Sequence, residues 1–190
     1  MSLDLLERRL SVPSRQLGAP GPDQAQLEAL LTAAIRVPDH GRLTPYRLLV
    51  VRGDARVRLG AEMAAIHARN EPDAPAAALA KDRERFNAAP LVVIVIARTT
   101  AGHKVPLQEQ LLSAGCVAYN LLLGAQALGF GAQWLTGWSA YDADVARLFG
   151  LAGNESVVGF VHIGSIREPA SEHARAPLAD VLGEWSGPPS

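Results

Sequence analysis

The chain has 190 residues, of which 48% are hydrophobic, and these values suit a single domain over residues 1–190 with a sizeable core. Its 18 Lys and Arg residues nearly balance 19 Asp and Glu residues, giving a net charge of −1. This balance excludes the general attraction that draws basic proteins to nucleic acids and anionic membranes, so we expect neither as a partner.

Helices and strands alternate in the first half of the predicted chain. A short amphipathic helix over residues 3–10 precedes a segment rich in Pro and Gly, residues 12–22, which is expected to be irregular. Asp23 is expected to cap a helix that continues to Arg36. The next predicted elements are a strand over residues 46–52, helices over 54–70 and 76–88, and a strand over 91–97. The β-branched run of this last strand indicates burial on both faces.

The second half is predicted to contain one long helix and two further strands. The long helix covers residues 106–129 and is apolar on nearly every side, which predicts a buried central position. A strand over 130–136, a short helix over 142–149 and a last strand over 157–166 follow. This order of elements predicts an α+β fold with a mixed sheet covered by helices.

Residues 168–190 form a polar tail with isolated apolar side chains. Leu178, Val181, Leu182 and Trp185 have no predicted place in the core. Leaving each of these side chains exposed costs about 1.5 to 3 kcal/mol. We therefore expect the tail to be an arm that packs on a partner subunit.

The N-terminal residues and the cysteine usage predict a cytoplasmic protein. Asp4 and Glu7 stand where a secretory signal needs a basic start and an uninterrupted apolar stretch. The single cysteine, Cys116, excludes an intramolecular disulfide and fits a reducing compartment. Because Cys116 lies in the long apolar helix, we expect its thiol to be buried and unreactive.

Spacing argues against several kinds of active site. The five histidines lie far apart without helical pairing, and one cysteine cannot complete a structural zinc site, so no metal is expected. The sequence contains neither the G-x-S-x-G elbow nor a P-loop. Gly129 and Gly131 precede a predicted strand, whereas the dinucleotide fingerprint follows one.

Three polar clusters in loops remain as candidate sites. Residues 8–11 supply two guanidiniums and a hydroxyl for a phosphate, or simply complete the end of a helix. Residues 36–41 and 45–47 offer a cation, an imidazole and an aromatic ring for a planar ligand, or form a well-capped loop with a structural histidine. Residues 133–138 place two indoles around a hydroxyl and a glycine, or end a buried strand. The residues alone leave both interpretations open in each cluster.

Taken in order, these clusters resemble the nitroreductase family of flavoproteins, in particular its small NAD(P)H nitroreductase branch. The matching motifs are R-x-S at 9–11, R-x-P-D-H-G at 36–41, P-[WY]-R at 45–47, H-K-V-P at 103–106, S-A-G-C at 113–116, G-F-G-x-x-W-x-[ST]-G at 129–137 and G-F-x-x-[IL]-G at 159–164. The resemblance covers the chain from residue 1 to residue 167. The P-D-H and W-x-[ST]-G segments at this separation are its most specific features.

The resemblance implies an intertwined homodimer with two FMN molecules at the interface and residues of both chains around each flavin. The FMN-binding residues that it implies are Arg9, Leu10, Ser11, Arg36, His40, Leu135, Thr136 and Gly137. Residues 9–11 would contact the phosphate and ribityl groups, and residues 135–137 the flavin. Arg36 and His40 would reach across the dimer. A segment for the nicotinamide nucleotide is implied at Ala125, Gln126, Ala127, Leu128, Gly129 and Phe130.

The sequence departs from the family pattern at two places. Leu10 and Leu135 stand where relatives often carry arginine, so a side-chain charge is missing at both positions. The basic residues with which larger relatives hold the FMN phosphate near the C-terminus have Arg167 and Arg175 as candidate counterparts.

The implied function is that of an FMN-dependent oxidoreductase, which takes hydride from NADH or NADPH and reduces nitroaromatic or quinone-like acceptors by a ping-pong mechanism. No side chain is assigned as an acid or base, and His40 is interpreted as a binding residue. Two alternatives stay open: an FMN enzyme of another type, for flavin fragmentation or reductive dehalogenation, and a dimer that binds flavin without turnover. The Pro-containing segment 71–75 is a candidate lid over the flavin.

Overall fold

A computed structural model describes residues 3–187 of the chain. Residues 1–2 of the predicted domain and residues 188–190 of the predicted arm lie outside the described residues. The helices are α1 (Asp4–Glu7), α2 (Gln24–Ala34), α3 (Asp54–Asn70), α4 (Ala76–Arg85), α5 (Leu107–Ala127) and α6 (Ala143–Leu148). The strands are β1 (Leu17–Gly18), β2 (Tyr46–Arg52), β3 (Leu91–Arg98), β4 (Gly131–Leu135) and β5 (Glu155–Ile166). The predicted order of six helices and four long strands is confirmed.

The last strand, β5, lies at the centre of the sheet. Ile163 of β5 pairs with Leu91 of β3 and also with Ala132 of β4, so β5 separates these two strands. β2 pairs with the free side of β3, and β1 pairs with the C-terminal end of β5. Helix α5 joins β3 to β4, which run in the same direction, but the insertion of β5 between them prevents a parallel ladder.

The α+β class is confirmed, but the direction of the strands differs from the expectation. Every pairing among the described strands is antiparallel, so the sheet does not mix parallel and antiparallel ladders. The alternation of helices and strands suggested parallel neighbours, because strands joined by a helix often pair side by side. Here the strands that α2 and α5 join are not neighbours, and β4 and β5, which α6 joins, pair in the antiparallel direction.

The segment over residues 12–22, predicted to be irregular, contains strand β1. Leu17 pairs with Ile166, and the backbone N–H of Arg167 donates to the carbonyl oxygen of Gln16 at 2.8 Å. Leu17 is only 4% exposed and packs with Val12 in a small buried cluster. Burial of these apolar side chains explains the pairing, which the Pro and Gly content of the segment concealed.

Strand β3 is covered on both faces, as its β-branched run predicted. Leu91, Val93 and Val95 pack in the core that α2 and α5 share with the sheet. The alternate residues Val92 and Ile94 pack on the other face, in the core that includes α3 and α6. The sheet is therefore the middle of three layers.

Helix α5 is buried on one side only, which corrects the expectation of a fully buried helix. Leu111 and Leu112 are 46% and 61% exposed, and Tyr119 is 39% exposed. Cys116 is exposed as well, so the prediction of a buried thiol is wrong. The sheet and α2 cover one face of α5, and nothing in the described part of the chain covers the apolar residues of the other face. No helix within residues 3–187 is long and apolar enough to cross a membrane.

The tail beyond β5 forms little regular structure in residues 168–187. It contains one short 3-10 turn, Leu178–Asp180. Its apolar side chains are exposed, with Leu178 at 69%, Val181 at 71%, Leu182 at 62% and Trp185 at 85%. A single chain therefore leaves these four side chains without a place in its core.

Candidate functional site

A cavity of about 730 Å³ lies where the N-terminal segment, α4 and β4 meet. Pro13, Ser14 and Arg15 form one wall of this cavity, and Gln133 and Leu135 of β4 form another. The third wall consists of α4 and the turn after it. The volume lies within the usual range of pockets that bind cofactors and other small ligands.

The residues that follow the first predicted cluster lie beside the start of the third. The backbone N–H of Val12 donates to the carbonyl oxygen of Ala132 at 2.9 Å, and that of Ser14 donates to Oε1 of Gln133 at 2.6 Å. Arg9 Nη1 donates to Ser11 Oγ at 3.2 Å, so the two polar side chains of the R-x-S motif are already in contact. The structure thus joins residues 12–14, which follow the R-x-S motif, to residues 132–133 of β4. Leu135 lines the large cavity, whereas Arg9, Leu10, Ser11, Thr136 and Gly137 do not.

The end of β4 is held by an arginine of α4. A guanidinium nitrogen of Arg85 donates to the backbone carbonyl oxygen of Thr136. Gly137 has φ +98°, and a Cβ at this position would lie 3.0 Å from both terminal nitrogens of Arg85. Only glycine combines this backbone conformation with such a close guanidinium.

Positive charge dominates the lining of the large cavity. The lining contains three cationic residues, Arg15, Lys81 and Arg85, and one carboxylate, that of Glu84. Burial lowers the pKa of Arg85, while the nearby carboxylate of Asp82 acts in the opposite direction. Arginine keeps its charge at neutral pH despite such effects. The cavity therefore suits an anionic ligand.

The second predicted cluster lies elsewhere, at the end of α2 and the start of α5. His40 Nδ1 lies 2.7 Å from Oε2 of Glu109, and Ser113 Oγ donates to the carbonyl oxygen of Pro38 at 2.5 Å. These residues line a smaller cavity of about 200 Å³ together with Cys116. His40 does not line the large cavity of its own chain, and neither does Arg36.

The segment predicted for the nicotinamide nucleotide forms the end of α5 and the turn to β4. Ala125 is buried, and Leu128 and Phe130 pack against the core on the α5 side of the sheet. Gln126 Nε2 donates to the carbonyl oxygen of Leu5 at 3.1 Å. None of residues 125–130 lines either of the two cavities, and their role in binding a nucleotide stays a prediction.

Of the two candidate C-terminal cations, Arg175 lies at the first cluster. Its Nη2 donates to the carbonyl oxygen of Arg9 at 3.1 Å. Arg167 donates instead to the carbonyl oxygen of Ala19, at the end of β1. The arm therefore brings a guanidinium next to the R-x-S motif.

Three cations of the large cavity, Arg15, Lys81 and Arg85, were not among the predicted binding residues. Lys81 and Arg85 belong to a run of charged residues, 81–85, which in a sequence looks like any solvated helix face. Arg15 lies in the segment that was expected to be irregular. Their position at a site depends on contacts between distant parts of the chain, which no local pattern records.

The segment proposed as a lid, residues 71–75, connects α3 to α4. Glu71 Oε2 lies 3.4 Å from Nε2 of His67. The segment lines neither cavity, so the structure gives no support to a lid at this position.

Comparison with known proteins assigns the chain to a family. Residues 6–165 match the model of the nitroreductase family. YdjA of Escherichia coli strain K12, whose name proposes an NAD(P)H nitroreductase activity, is 34% identical over 178 residues, which are 93% of this chain and 94% of YdjA. The chain belongs to the nitroreductase family, and the resemblance identified in its loop clusters is confirmed.

Solved structures show the same fold. The nitroreductase-like family protein from Bacillus cereus matches with a TM-score of 0.80 and 22% identity over 97% of this chain and 95% of that chain. A variant of NfnB, an FMN- and NADPH-dependent nitroreductase from Sphingopyxis sp. strain HMH, matches with a TM-score of 0.75 and 22% identity over 97% of this chain and 98% of that chain. The predicted nitroreductase-like fold is confirmed.

Proposed function

We propose that this protein is an FMN-dependent oxidoreductase that takes hydride from NADH or NADPH and reduces nitroaromatic or quinone-like acceptors. The observation that carries the proposal is the large cationic cavity, which Leu135 of the W-x-[ST]-G motif lines and whose wall of Pro13, Ser14 and Arg15 begins two residues after the R-x-S motif. The activity proposed in the name of YdjA and the cofactors in the description of NfnB support the same function.

The residues around the cavity fit the chemistry of FMN. A phosphate group needs forked donors and hydroxyls, which Arg9 and Ser11 would supply from just before the cavity wall that begins at Pro13. A flat ring system needs an apolar wall, which Leu135 and Pro13 provide, and polar ring atoms need donors at its edge. Arg85 is such a donor, and its Nε is buried without a hydrogen-bond partner among the described residues.

FMN would supply the redox chemistry, namely hydride transfer from a reduced nicotinamide to an acceptor in two half-reactions, for which ping-pong kinetics are expected. The protein's contribution is to bind and orient. Arg9 and Ser11 would hold the phosphate, and the backbone of residues 135–137 would contact the flavin. The positive charge of Arg85 stabilises negative charge on the reduced cofactor. No side chain is required as an acid or base.

The functional unit that we propose is an intertwined homodimer. In one chain Arg36 and His40 lie away from the large cavity, so their predicted role requires that a second chain presents them to it. The exposed apolar face of α5 and the exposed apolar side chains of the arm supply surface for that contact. We propose that residues 168–190 pack on the partner subunit and that the dimer acts in the cytoplasm.

The absorption spectrum of the purified protein tests this function. We expect a yellow protein with a flavin band near about 450 nm, which bleaches on anaerobic addition of NADH or NADPH and returns when a nitroaromatic or quinone is added. Protein that is colourless and takes up no FMN would contradict the proposal. Yellow protein that excess NADH and NADPH cannot bleach would indicate flavin binding without turnover.

Arg9→Ala tests the assignment of the phosphate site. Loss of a charged hydrogen bond to phosphate should weaken FMN binding by about 1.5 to 3 kcal/mol in a fluorescence titration. The matched control is Arg58→Ala, which removes the same charge from an exposed position on α3. Equal FMN affinity in both variants would show that Arg9 does not hold the phosphate.

A further inference from the structure

Asp82 is a buried carboxylate that the proposed function does not use. It lies on α4, is 6% exposed and does not line the large cavity. Its Oδ1 accepts a hydrogen bond from Nε1 of Trp138 at 3.1 Å, and its Oδ2 lies 2.5 Å from Nδ1 of His67. A buried carboxylate is costly unless such partners compensate for its lost hydration, so each contact contributes to holding it in place.

Asp82 and Arg85 lie one turn apart on α4 and hold the two residues that flank Gly137. Asp82 binds the indole of Trp138, and Arg85 binds the carbonyl oxygen of Thr136. The left-handed backbone of Gly137, with φ +98°, lies between these two contacts. One helix therefore holds the residues on both sides of Gly137, of which Thr136 belongs to the segment that is assigned to the flavin and Trp138 directly follows it.

Helix α4 is itself fixed on α3. A Cβ at Gly60 of α3 would lie 2.1 Å from the carbonyl oxygen of Arg83 on α4, so the two helices are in close backbone contact. His67 of α3 completes the connection, because it contacts Asp82 and its ring centroid lies 5.1 Å from that of Trp138. The carboxylate of Asp82 raises the pKa of His67, which strengthens the contact by favouring the charged imidazolium.

We propose that Asp82 is a positioning residue of the flavin site, which together with His67 and Trp138 fixes the backbone of residues 135–137 and the guanidinium of Arg85 relative to bound FMN. The inference rests on the proposed function. Its physical basis is that donors and charges act on a cofactor only when their positions are fixed before it binds. Asp82 should therefore influence both the affinity for FMN and the midpoint potential of the bound flavin.

Two variants test the proposal in the full-length protein. Asp82→Asn keeps the size of the side chain and removes its charge, and Trp138→Phe keeps an aromatic ring and removes the indole donor. We expect each variant to weaken FMN binding about tenfold, as the loss of one buried hydrogen bond does, and to shift the midpoint potential of bound FMN. The measurements are a fluorescence titration with FMN and an anaerobic redox titration.

The matched control is Glu155→Gln. Glu155 accepts hydrogen bonds from Arg47 at 2.7 and 2.8 Å, and neither residue lines the large or the smaller cavity. We expect this variant to lower the melting temperature. Its FMN affinity should stay within about twofold of that of the unchanged protein, and its midpoint potential should not differ measurably.

The outcomes are distinguishable. Unchanged affinity and potential in Asp82→Asn and Trp138→Phe would overturn the positioning role, and so would equal changes in Glu155→Gln, which would reveal a general effect of destabilisation. If Asp82→Asn does not fold, Trp138→Phe decides alone. Failure of the unchanged protein to bind FMN would instead contradict the proposed function.

Discussion

Arg85 and Thr136 are 51 residues apart in sequence, yet the guanidinium of Arg85 donates to the backbone carbonyl oxygen of Thr136. This contact joins α4 to the end of β4 and closes one side of the large cavity. Because Arg85 also lines that cavity, one side chain both shapes the site and gives it positive charge.

Arg85 is partly exposed, and replacing such a residue usually has a small effect. Because Arg85 lines the cavity, we nevertheless expect its replacement to weaken ligand binding. We expect Arg85→Ala to weaken FMN binding by about 1.5 to 3 kcal/mol, since a charged donor is lost and the carbonyl oxygen of Thr136 loses its partner. Arg83→Ala is the matched control, because Arg83 lies on the same helix but is exposed and outside the cavity. FMN titrations that agree for the two variants would show that Arg85 is not part of the site.

Gly137 provides a second test at the same contact. Gly137→Ala places a methyl group 3.0 Å from the guanidinium of Arg85 at a φ of +98°, so we expect weaker FMN binding and a loss of stability of about 1 to 3 kcal/mol. Gly150→Ala is the control, since Gly150 also has a positive φ, of +62°, but has open space around it. It should lose stability without losing FMN affinity. Retention of normal FMN affinity by Gly137→Ala would argue against contact between this segment and the flavin.

Local sequence patterns predicted a helix or strand well where interactions between residues close in sequence determine it. Asp23 was expected to cap α2, and its side chain and that of Gln26 form a reciprocal capping box. The β-branched run of residues 91–97 indicated a strand with two buried faces, which β3 has. In both cases residues close in sequence contain the whole physical cause.

Predictions failed where the cause lies in distant residues. β1 forms because its backbone meets the end of β5, almost 150 positions later, and nothing in the residues around Leu17 shows that partner. Hydrophobicity showed that α5 packs in the core, but not that one side of it stays uncovered. The motifs that resemble the nitroreductase family indicated residues 9–11 and 135–137, whereas the Arg85 contact required the folded chain.

His162 makes the stability of the protein depend on pH. Its imidazole is fully buried, and burial together with the charge of Arg85 lowers its pKa from 6.5 to about 4. In the unfolded chain the group takes up a proton below its ordinary pKa, while in the folded chain it stays neutral down to about pH 4. Its contribution to stability is therefore complete above pH 6.5 and is lost as the pH falls toward 4.

We expect the free energy of unfolding to fall by about 1.5 kcal/mol between pH 6.5 and about pH 5 because of this group. Urea unfolding at the two pH values measures the change, and His162→Leu should abolish most of it. Glu155 does not contribute to the change between pH 6.5 and 5. Arg47 lowers its pKa to about 2, so its contribution to stability is lost only below its ordinary pKa of 4.5. His67 does not contribute either, since its raised pKa removes stability only as the pH rises above 6.5. An unchanged pH dependence in His162→Leu would contradict this assignment.

The exposed face of α5 predicts how the two subunits associate. Leu112→Glu places a charge on a side chain that is 61% exposed in the single chain, and we expect the dimer to dissociate because a buried, unpaired carboxylate at the interface is costly. Analytical ultracentrifugation would show the change in mass, and FMN affinity should fall with it. Val57→Glu on α3 is the control, since Val57 is similarly exposed, at 57%, and lies on another helix. A dimeric Leu112→Glu variant would place the interface elsewhere.

The central position of β5 has a consequence for the order in which the molecule can be built during synthesis. Among the described strands, β4 has a ladder only with β5, and β3 has β5 as one of its two neighbours. When the chain has been synthesised as far as residue 154, all residues that line the large cavity are present. The strand β5, with which β4 pairs, is still missing. The ligand site of this protein forms late, when the strand that closes the sheet leaves the ribosome and joins partners made long before it.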